Sequence, residues 1–505
     1  MRTVEVSNHT SLAEYSDRFH LEGHVRTLEE EAKQLLPSLS GRKVWMINAA
    51  ESGGGVAEMM PKLVSILREL GIEVEWVVIE SERPEFFGLT KRIHNLIHDA
   101  GDPGFSAEDR ALYEAVNEEN ARALERMMSP RDFIVAHDPQ PCAMGAILKE
   151  RTGAPAIWRS HIGLDRATPR TRSAWEFLRP WIEAYDRVVF SVPEYVPPFL
   201  ADRSSIIHPG IDPLSPKNAE ISPRRVQSIL CSGQLALQHS PMLHPLFEHP
   251  ALRLSAEGKW ERATEAEEIG FLFRPIITQI SRWDRLKGWE PLMDAFVRMK
   301  SSSRTGPDGL HNRCLDIIRL VLAGPDPASV ADDPEGKDLL EELTRRWLDL
   351  DPRLQRDIAI LTLPMASREE NALMVNAIQR CSTIVVQNSI EEGFGLTVSE
   401  AMWKRLTVIG SSAAGIRQQI RDGVDGILIP DAENTTEIAT ILDRALANPA
   451  LRGHLSGNAQ RKVHENFLVF TQVRAWLRVL HSVLTPLVDV TLSPPDASHT
   501  GASEA

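Results

Sequence analysis

The sequence predicts an α/β protein with two Rossmann-like domains in tandem, and three observations carry that expectation. Short apolar runs rich in β-branched residues alternate with longer amphipathic stretches, in two separate sets. Runs such as Val-Val-Ile at 77–79 and Ile-Val-Val at 384–386 are apolar throughout, as strands covered on both faces of a parallel sheet are. The chain has 505 residues, 42% hydrophobic and 25% charged, which exceeds one ordinary domain and excludes global disorder, a collagen-like fibre and a disulfide-held miniprotein.

The first set of expected strands is Lys43–Ala49, Glu73–Ile79, Asp132–Ala136, Ala154–Arg159, Arg187–Val192 and Ser205–Ile207. The second is Pro275–Ser281, Ile318–Gly324, Asp357–Leu361, Thr383–Gln387, Leu406–Gly410 and Gly426–Ile429. Between them, residues 216–268 begin in Pro, Asn and Ser and end in a charged run, so the domain boundary is expected there, with a helix around Arg224–Ser232. The domains are expected over 1–265 and 266–465, after an amphipathic lead-in of about forty residues. An apolar terminal helix is expected over Val463–Leu484, and the Ser-, Pro- and Thr-rich residues 489–505 read as a disordered tail.

Fifty-six Lys and Arg against 70 Asp and Glu leave a net charge of −14, which argues against broad nucleic-acid binding. Cys142, Cys231, Cys314 and Cys381 form no CxxC pair, so neither a zinc site nor a redox dithiol is expected, and free thiols fit a reducing cytosol. Met1–Glu30 lacks the apolar core of a signal peptide, and with no run of eighteen apolar residues no membrane span is expected.

Five segments fall where ligands bind in such sheets, beyond the carboxyl ends of strands. Ser52-Gly53-Gly54-Gly55 follows the first strand and opens a helical pattern through Leu70. N–H groups of Gly54 and Gly55 at a helix start suit a phosphate, although GxGxxG and a Walker lysine are missing and a plain turn is the alternative. Pro61 should kink this helix or mark its start. Ser281–Gly288 carries Arg282 and Lys287, a fork and a point charge suited to a diphosphate, or else an exposed basic loop. Glu391–Met402 sets Glu392 in a glycine-rich loop and Glu400, after seven intervening residues, on the helix it opens. Carboxylates accept from sugar hydroxyls, and the loop N–H groups of Gly393, Phe394, Gly395 and Leu396 favour an anion; acidic capping is the alternative. His137-Asp138-Pro139-Gln140-Pro141 and Trp158-Arg159-Ser160-His161-Ile162 follow two further strands. There His161 is a neutral hydrogen-bonding partner or an acid, and Asp138 fixes an acceptor hydroxyl or takes its proton. HExxH and GxSxG are absent.

These segments together resemble the retaining GT-B glycosyltransferases, the group that includes sucrose and glycogen synthases. The chain is most similar there to trehalose synthases that join a nucleoside-diphosphate glucose to glucose, and to retaining trehalose phosphorylases. The runs Asn48–Met59, Phe86-Phe87, Thr90-Lys91, His94-Asn95, His137–Pro141, Trp158–Ile162, Ser281–Asp284 and Glu392–Trp403 carry the likeness, over roughly residues 40 to 470. The chain departs at Lys404–Val408, where a Lys-Gly-x-Pro-Val turn is usual, and at Ala414-Gly415-Ile416, where Gly-Gly-Ile is usual. It departs also at Ser160 and Gly163.

The resemblance implies a GT-B architecture, two Rossmann-like domains facing across a cleft, with residues 466–488 crossing back to the first. It implies that Arg282 and Lys287, helped by Gly54 and Gly55, neutralise the leaving diphosphate. Glu400 would hold the ribose and Glu392 the donor sugar, His161 would face the reacting sugar, and Asp138 with Gln140 and Arg159 would hold the acceptor. Neither metal nor cofactor is implied; the partners are a nucleotide-sugar donor and a small sugar acceptor, and the chain is compatible with a monomer or a homodimer. The alternatives are a trehalose phosphorylase using inorganic phosphate, an NAD-dependent oxidoreductase, against which the missing GxGxxG speaks, and a non-catalytic sugar-nucleotide sensor.

Overall fold

The computed structural model describes residues 1–6, 11–18, 20–51, 55–238, 243–263, 268–302, 309–327 and 334–485. The chain forms two parallel-rich sheets flanked by helices. The first contains β1 (Arg2–Thr3), β2 (Lys43–Asn48), β3 (Glu73–Val78), β4 (Phe133–His137), β5 (Ala156–Ser160), β6 (Arg187–Phe190) and β7 (Ser204–Ile206). Its order is β1-β3-β2-β4-β5-β6-β7, with β1 alone antiparallel. The second contains β8 (Leu252–Leu254), β9 (Trp260–Arg262), β10 (Ile276–Ile280), β11 (Arg319–Pro325), β12 (Ile358–Leu363), β13 (Ile384–Gln387), β14 (Thr407–Ser411) and β15 (Ile427–Ile429). Its order is β15-β14-β13-β10-β11-β12-β8-β9, parallel from β15 to β12.

The apolar runs become strands because both faces are covered: every residue of β4, β5, β10, β12, β13 and β14 is buried. Each sheet starts at its centre and builds outward both ways, which creates one switch point between β2 and β4 and another between β10 and β13. The loops at those points are the natural ligand positions.

Three expectations need correction. The boundary at 265/266 is too late: β8 and β9 pair onto β12, and the helix Pro223–Ser232 buries Val226, Ile229 and Leu230 against the second sheet's side, with Val321 and Met374. The hairpin reads as linker because the short edge strand β9 is half polar and partly exposed. The expected terminal helix is broken: one helix ends at Asn466 and the next runs Val469–Leu484. At the break the Ile211 N–H donates to Phe467 O and the Val469 N–H donates to Ile211 O, so the linker takes hydrogen bonds that would otherwise stay within a helix. Pro61 does not mark a helix start, since the helix runs Gly55–Glu69 around it.

The helix Val469–Leu484 packs on the lead-in helix Glu22–Leu39 of the first domain, where Arg474 and Arg478 both reach Glu31. The tail at 489–505 lies outside the described residues. The four cysteines are free. Among the described residues no helix is long and apolar enough to cross a membrane, and no His, Cys, Asp and Glu group has the arrangement of a metal site.

Candidate active site

Both switch points carry the residues singled out by motif. On the second domain, Arg285–Lys287 is a tight 3-10 turn after β10, capped by Asp284, whose carboxylate accepts from the Leu286 N–H at 2.8 Å. Trp283 and Trp289 pin this turn by donating to Pro325 O and Arg282 O. Gly288 closes it at φ +61°, where a Cβ would lie 2.1 Å from Asn388 O, so only glycine fits against the β13 loop. The turn aims Lys287 at that loop: Lys287 Nζ lies 2.8 Å from Glu392 Oε2, and Ser389 Oγ donates to the same oxygen at 2.8 Å. Burial alone would raise the Glu392 carboxyl, but Lys287, Ser389 and Arg282 outweigh it and hold it below the usual carboxylate range. Arg282 stands more open, 3.8 Å from Asp284. The two cations therefore differ, one in a nearly dry ion pair and one in solvent.

The Glu392–Gly395 loop is fixed from several sides. Tyr195 of the first domain donates to Glu392 O at 2.5 Å, and Gln419 donates to Phe394 O. Gly395, at φ +83°, turns the chain into the helix Leu396–Trp403. The Phe394 side chain is not at a ligand surface: it is buried between His208 and Phe467, leaving only its backbone for an anion.

On the first domain, Asp138 sits at φ +65° just past β4, and its Oδ1 accepts from the His161 N–H at 2.7 Å. His161 Nε2 lies 3.0 Å from His137 Nδ1 with the rings nearly parallel. Burial, with Arg159 nearby, pushes His137 down to about 3 and His161 well below its ordinary value. Both shifts favour the neutral imidazole of His161, and its Nδ1 is the ring nitrogen not engaged by His137. Its carbonyl oxygen lies 3.4 Å from the place a Gly393 Cβ would occupy, so the loop after β5 meets the loop after β13. Gly55 likewise faces Leu396 at 3.7 Å, while Gly54 lies outside the described residues.

Arg159 is a correction. It is 1% exposed and donates to Ser191 Oγ and Ile207 O inside the first domain, so it presents no surface to an acceptor. Its place near Asp138 and the two histidines is electrostatic. Gln140 keeps a buried Oε1 with no protein partner, as a hydroxyl-binding amide would.

Burial pushes Asp138 up to about 6, against the His161 N–H and Arg159, which pull it down. Its charged form accepts the His161 hydrogen bond more strongly. As an acid raised in the folded state, it favours the fold below the ordinary carboxylate range and loses that contribution as pH passes about 6. Loop order runs the opposite way. An acid limb near pH 6 in kcat/KM is expected, absent from Asp138→Asn; an identical limb in the variant would assign it elsewhere.

Some participants carry no strong sequence signal. His137 orients His161, and Ser389 and Gln387 orient Glu392. His94 and His98, on adjacent turns at the end of the helix Pro84–Ile97, are lowered by burial first, and among their charged neighbours are Arg282 for His94 and Lys287 for His98. Their four-residue spacing sets them on one helix face, and His94 also stands in the His94-Asn95 run. Glu400, 6% exposed, is not beside Glu392's ion pair; Lys217 of the interdomain segment lies 3.7 Å from its Oε1. Next to this centre a cavity of 350 Å³ runs along the ends of β13 to β15, its first-domain side supplied by Asp165 and Arg166. Two ion pairs cross it, Arg166–Glu391 at 2.5 Å and Asp165–Arg417 at 3.0 Å.

Comparison with known proteins decides the family. Residues 46–197 match the trehalose synthase N-terminal domain, and residues 265–462 match glycosyl transferases group 1. The trehalose synthase of Pyrococcus horikoshii is 34% identical over 92% of this chain and 94% of its own. The chain belongs to the trehalose synthase family. A trehalose phosphorylase of Pleurotus pulmonarius is more distant from this family member, 24% identical over 86% of the chain and 56% of its own length. The UDP-forming α,α-trehalose-phosphate synthase of Burkholderia vietnamiensis superposes with a TM-score of 0.62 at 16% identity, over 88% of this chain and 98% of that one. That likeness shows the GT-B fold, and the family match makes the chain a glycosyl-transferring enzyme.

Proposed function

We propose that the chain moves glucose from a nucleoside-diphosphate glucose to glucose, forming trehalose with retention of configuration. The observation that carries this is the meeting of the loop after β5 with the loop after β13, with His161 and its partner Asp138 on one side and the Lys287–Glu392 pair on the other. Arg282 and Lys287 receive the departing diphosphate, at the carboxyl end of β10. Glu392 accepts from donor-sugar hydroxyls, and His161 Nδ1 faces the reacting sugar. Gln140 and Asp138 hold the acceptor.

The bond from the sugar C1 to the diphosphate oxygen breaks, and the bond to the acceptor oxygen forms on the same face. The acceptor proton passes to the leaving diphosphate. No side chain need ionise in that step, which suits a site whose histidines are held neutral. Placement of the two reactants supplies much of the rate, since well-oriented groups reach effective molarities of about 10⁵–10⁸ M.

The test is a product assay with ADP-, UDP- and GDP-glucose in turn, glucose as acceptor, and EDTA present. An α,α-linked disaccharide with released nucleoside diphosphate is expected from at least one donor. Glucose 1-phosphate from trehalose and inorganic phosphate, with no reaction from any nucleotide sugar, would assign the phosphorylase reaction instead.

A further inference from the structure

The segment joining the domains is anchored at two points. Asp212 belongs to the first domain: Tyr15 Oη donates to its Oδ1 at 2.7 Å, and Lys62 lies 3.4 Å from its Oδ2. Asn218 and Ala219 belong to the second: Trp403 Nε1 donates to Asn218 O at 3.2 Å, Lys404 donates to Asn218 Oδ1 at 3.0 Å, and Arg380 donates to Ala219 O at 3.1 Å. The lysine between these anchors points two ways. Lys217 Nζ lies 2.5 Å from Glu58 Oε1 and 3.7 Å from Glu400 Oε1.

Both carboxylates have a particular place in the fold. Glu58 is in the first turn of the helix Gly55–Glu69, which begins at the glycine run of the first domain. Glu400 is on the helix Leu396–Trp403, which begins at the glycine loop of the second. One ammonium group therefore ties together the two helices whose starts face the diphosphate. The other cation beside Glu400 is Lys404, and it is spent differently: its Nζ reaches Gln379, Asn218 and the Glu400 backbone oxygen. Among the described residues Lys217 is the ammonium group that pairs with the Glu400 carboxylate, and such a pair orients a buried carboxylate.

We propose that Lys217 is a positioning residue for the nucleoside end of the donor, linking the grip of Glu400 on the ribose diol to the first domain through Glu58. This rests on the assignment of Glu400 as the ribose ligand. The linker lysine keeps Glu400 directed toward the diol, and its contact with Glu58 holds the first-domain helix at the same spacing.

The experiment measures dissociation constants by calorimetry for inorganic pyrophosphate and for the nucleoside diphosphate released in the product assay (ADP, UDP or GDP). It adds KM for donor and acceptor and kcat. Lys217→Met is expected to weaken the nucleoside diphosphate about tenfold and to raise the donor KM similarly. Pyrophosphate, which has no ribose, and the acceptor KM stay unchanged. Lys217→Arg restores most of the loss. Glu58→Gln cuts only the first-domain arm, so kcat falls severalfold while nucleoside diphosphate affinity holds within about twofold. Equal weakening of pyrophosphate and nucleoside diphosphate by Lys217→Met would make the lysine merely structural and overturn the proposal. So would unchanged nucleoside diphosphate affinity in Lys217→Met while Glu400→Gln lowers it. If Glu400→Gln also leaves that affinity unchanged, the ribose assignment itself fails.

Discussion

Replacing Lys287 with Ala is expected to lower kcat/KM by about 10²–10³-fold, the range for deleting one preorganised group that stabilises developing charge. Two consequences follow from one substitution. The carboxyl end of β10 loses the cation that faces the leaving diphosphate. Glu392 loses its ion pair 2.8 Å away while remaining nearly buried. Its carboxyl is then left to burial, which raises it, with only Ser389, Gln387 and the open Arg282 to oppose. Because the two side chains share one interaction, Lys287→Ala and Glu392→Gln should not add: the double variant is expected to be little worse than the weaker single one. Steady-state kinetics of the four proteins decide this. Full additivity, or activity within about threefold of the parent in Lys287→Ala, would remove the pair from the reaction.

The same pair has a pH signature in stability. Glu392 is depressed in the folded state, so its contribution is present above the ordinary carboxylate range and lost as pH falls through it. Unfolding midpoints of the parent should therefore fall on acidification more steeply than those of Lys287→Ala. Arg is not a substitute for Lys287. The ammonium approaches Glu392 as a point charge in a tight 3-10 turn, and a planar fork needs more room than the Ser389 and Gln387 contacts leave.

The parts of this molecule that the sequence displays are those with a periodic or compositional cause. All twelve expected parallel strands are present within a few residues of their predicted bounds, and in the central ones burial on both faces forces a largely apolar run. The antiparallel strands β1, β8 and β9, at or next to the sheet edges, are two or three residues long, too short for any periodicity, and β9 lies in a charged stretch. The break at Phe467–Leu468 is invisible for a different reason. Hydrophobic residues continue at helical spacing through it, and the helix stops because Ile211, more than 250 residues away in sequence, takes its hydrogen bonds. Gly210 permits that crossing: a Cβ there would lie 2.7 Å from Leu468 O.

Site residues divide the same way. Glu392 and Lys287 stand in recognisable motifs, and the fold brings them together. Arg159 stands in one too, yet strand alternation carries it into the core, where Ser191 and Ile207 hold it. His137 and Lys217 act through partners distant in sequence, and no local pattern marks such a contact.

Gly415→Ala is expected to cost about 10²-fold in kcat/KM, although it adds only one methyl group. The Cβ would lie 2.5 Å from Phe394 Cα, 2.7 Å from Phe394 N and 2.7 Å from Gly393 O. All three are backbone atoms, so no rotamer change relieves the clash. Either the helix Ala414–Gln419 or the loop after Glu392 must shift by about 1 Å, and misplacement on that scale costs roughly this much in rate. The loop cannot move alone. Gln419 donates to Phe394 O and, at 3.2 Å, to Gly395 O, the Gly415 N–H donates to Glu392 O at 3.3 Å, and Tyr195 holds the same oxygen from the first domain. A shift is therefore passed to Glu392 and its bond with Lys287. Overpacking adds about 1–3 kcal/mol of destabilisation, measurable by denaturant unfolding.

The neighbouring position provides the control. Ala414 is 1% exposed, with its methyl accommodated. Ala414→Gly should leave kcat/KM nearly unchanged and cost at most about 1 kcal/mol from lost helix propensity. If instead Gly415→Ala were as active as Ala414→Gly, the close approach of helix and loop would have no part in placing Glu392. The asymmetry expected between two adjacent small residues follows from backbone proximity at 415 alone.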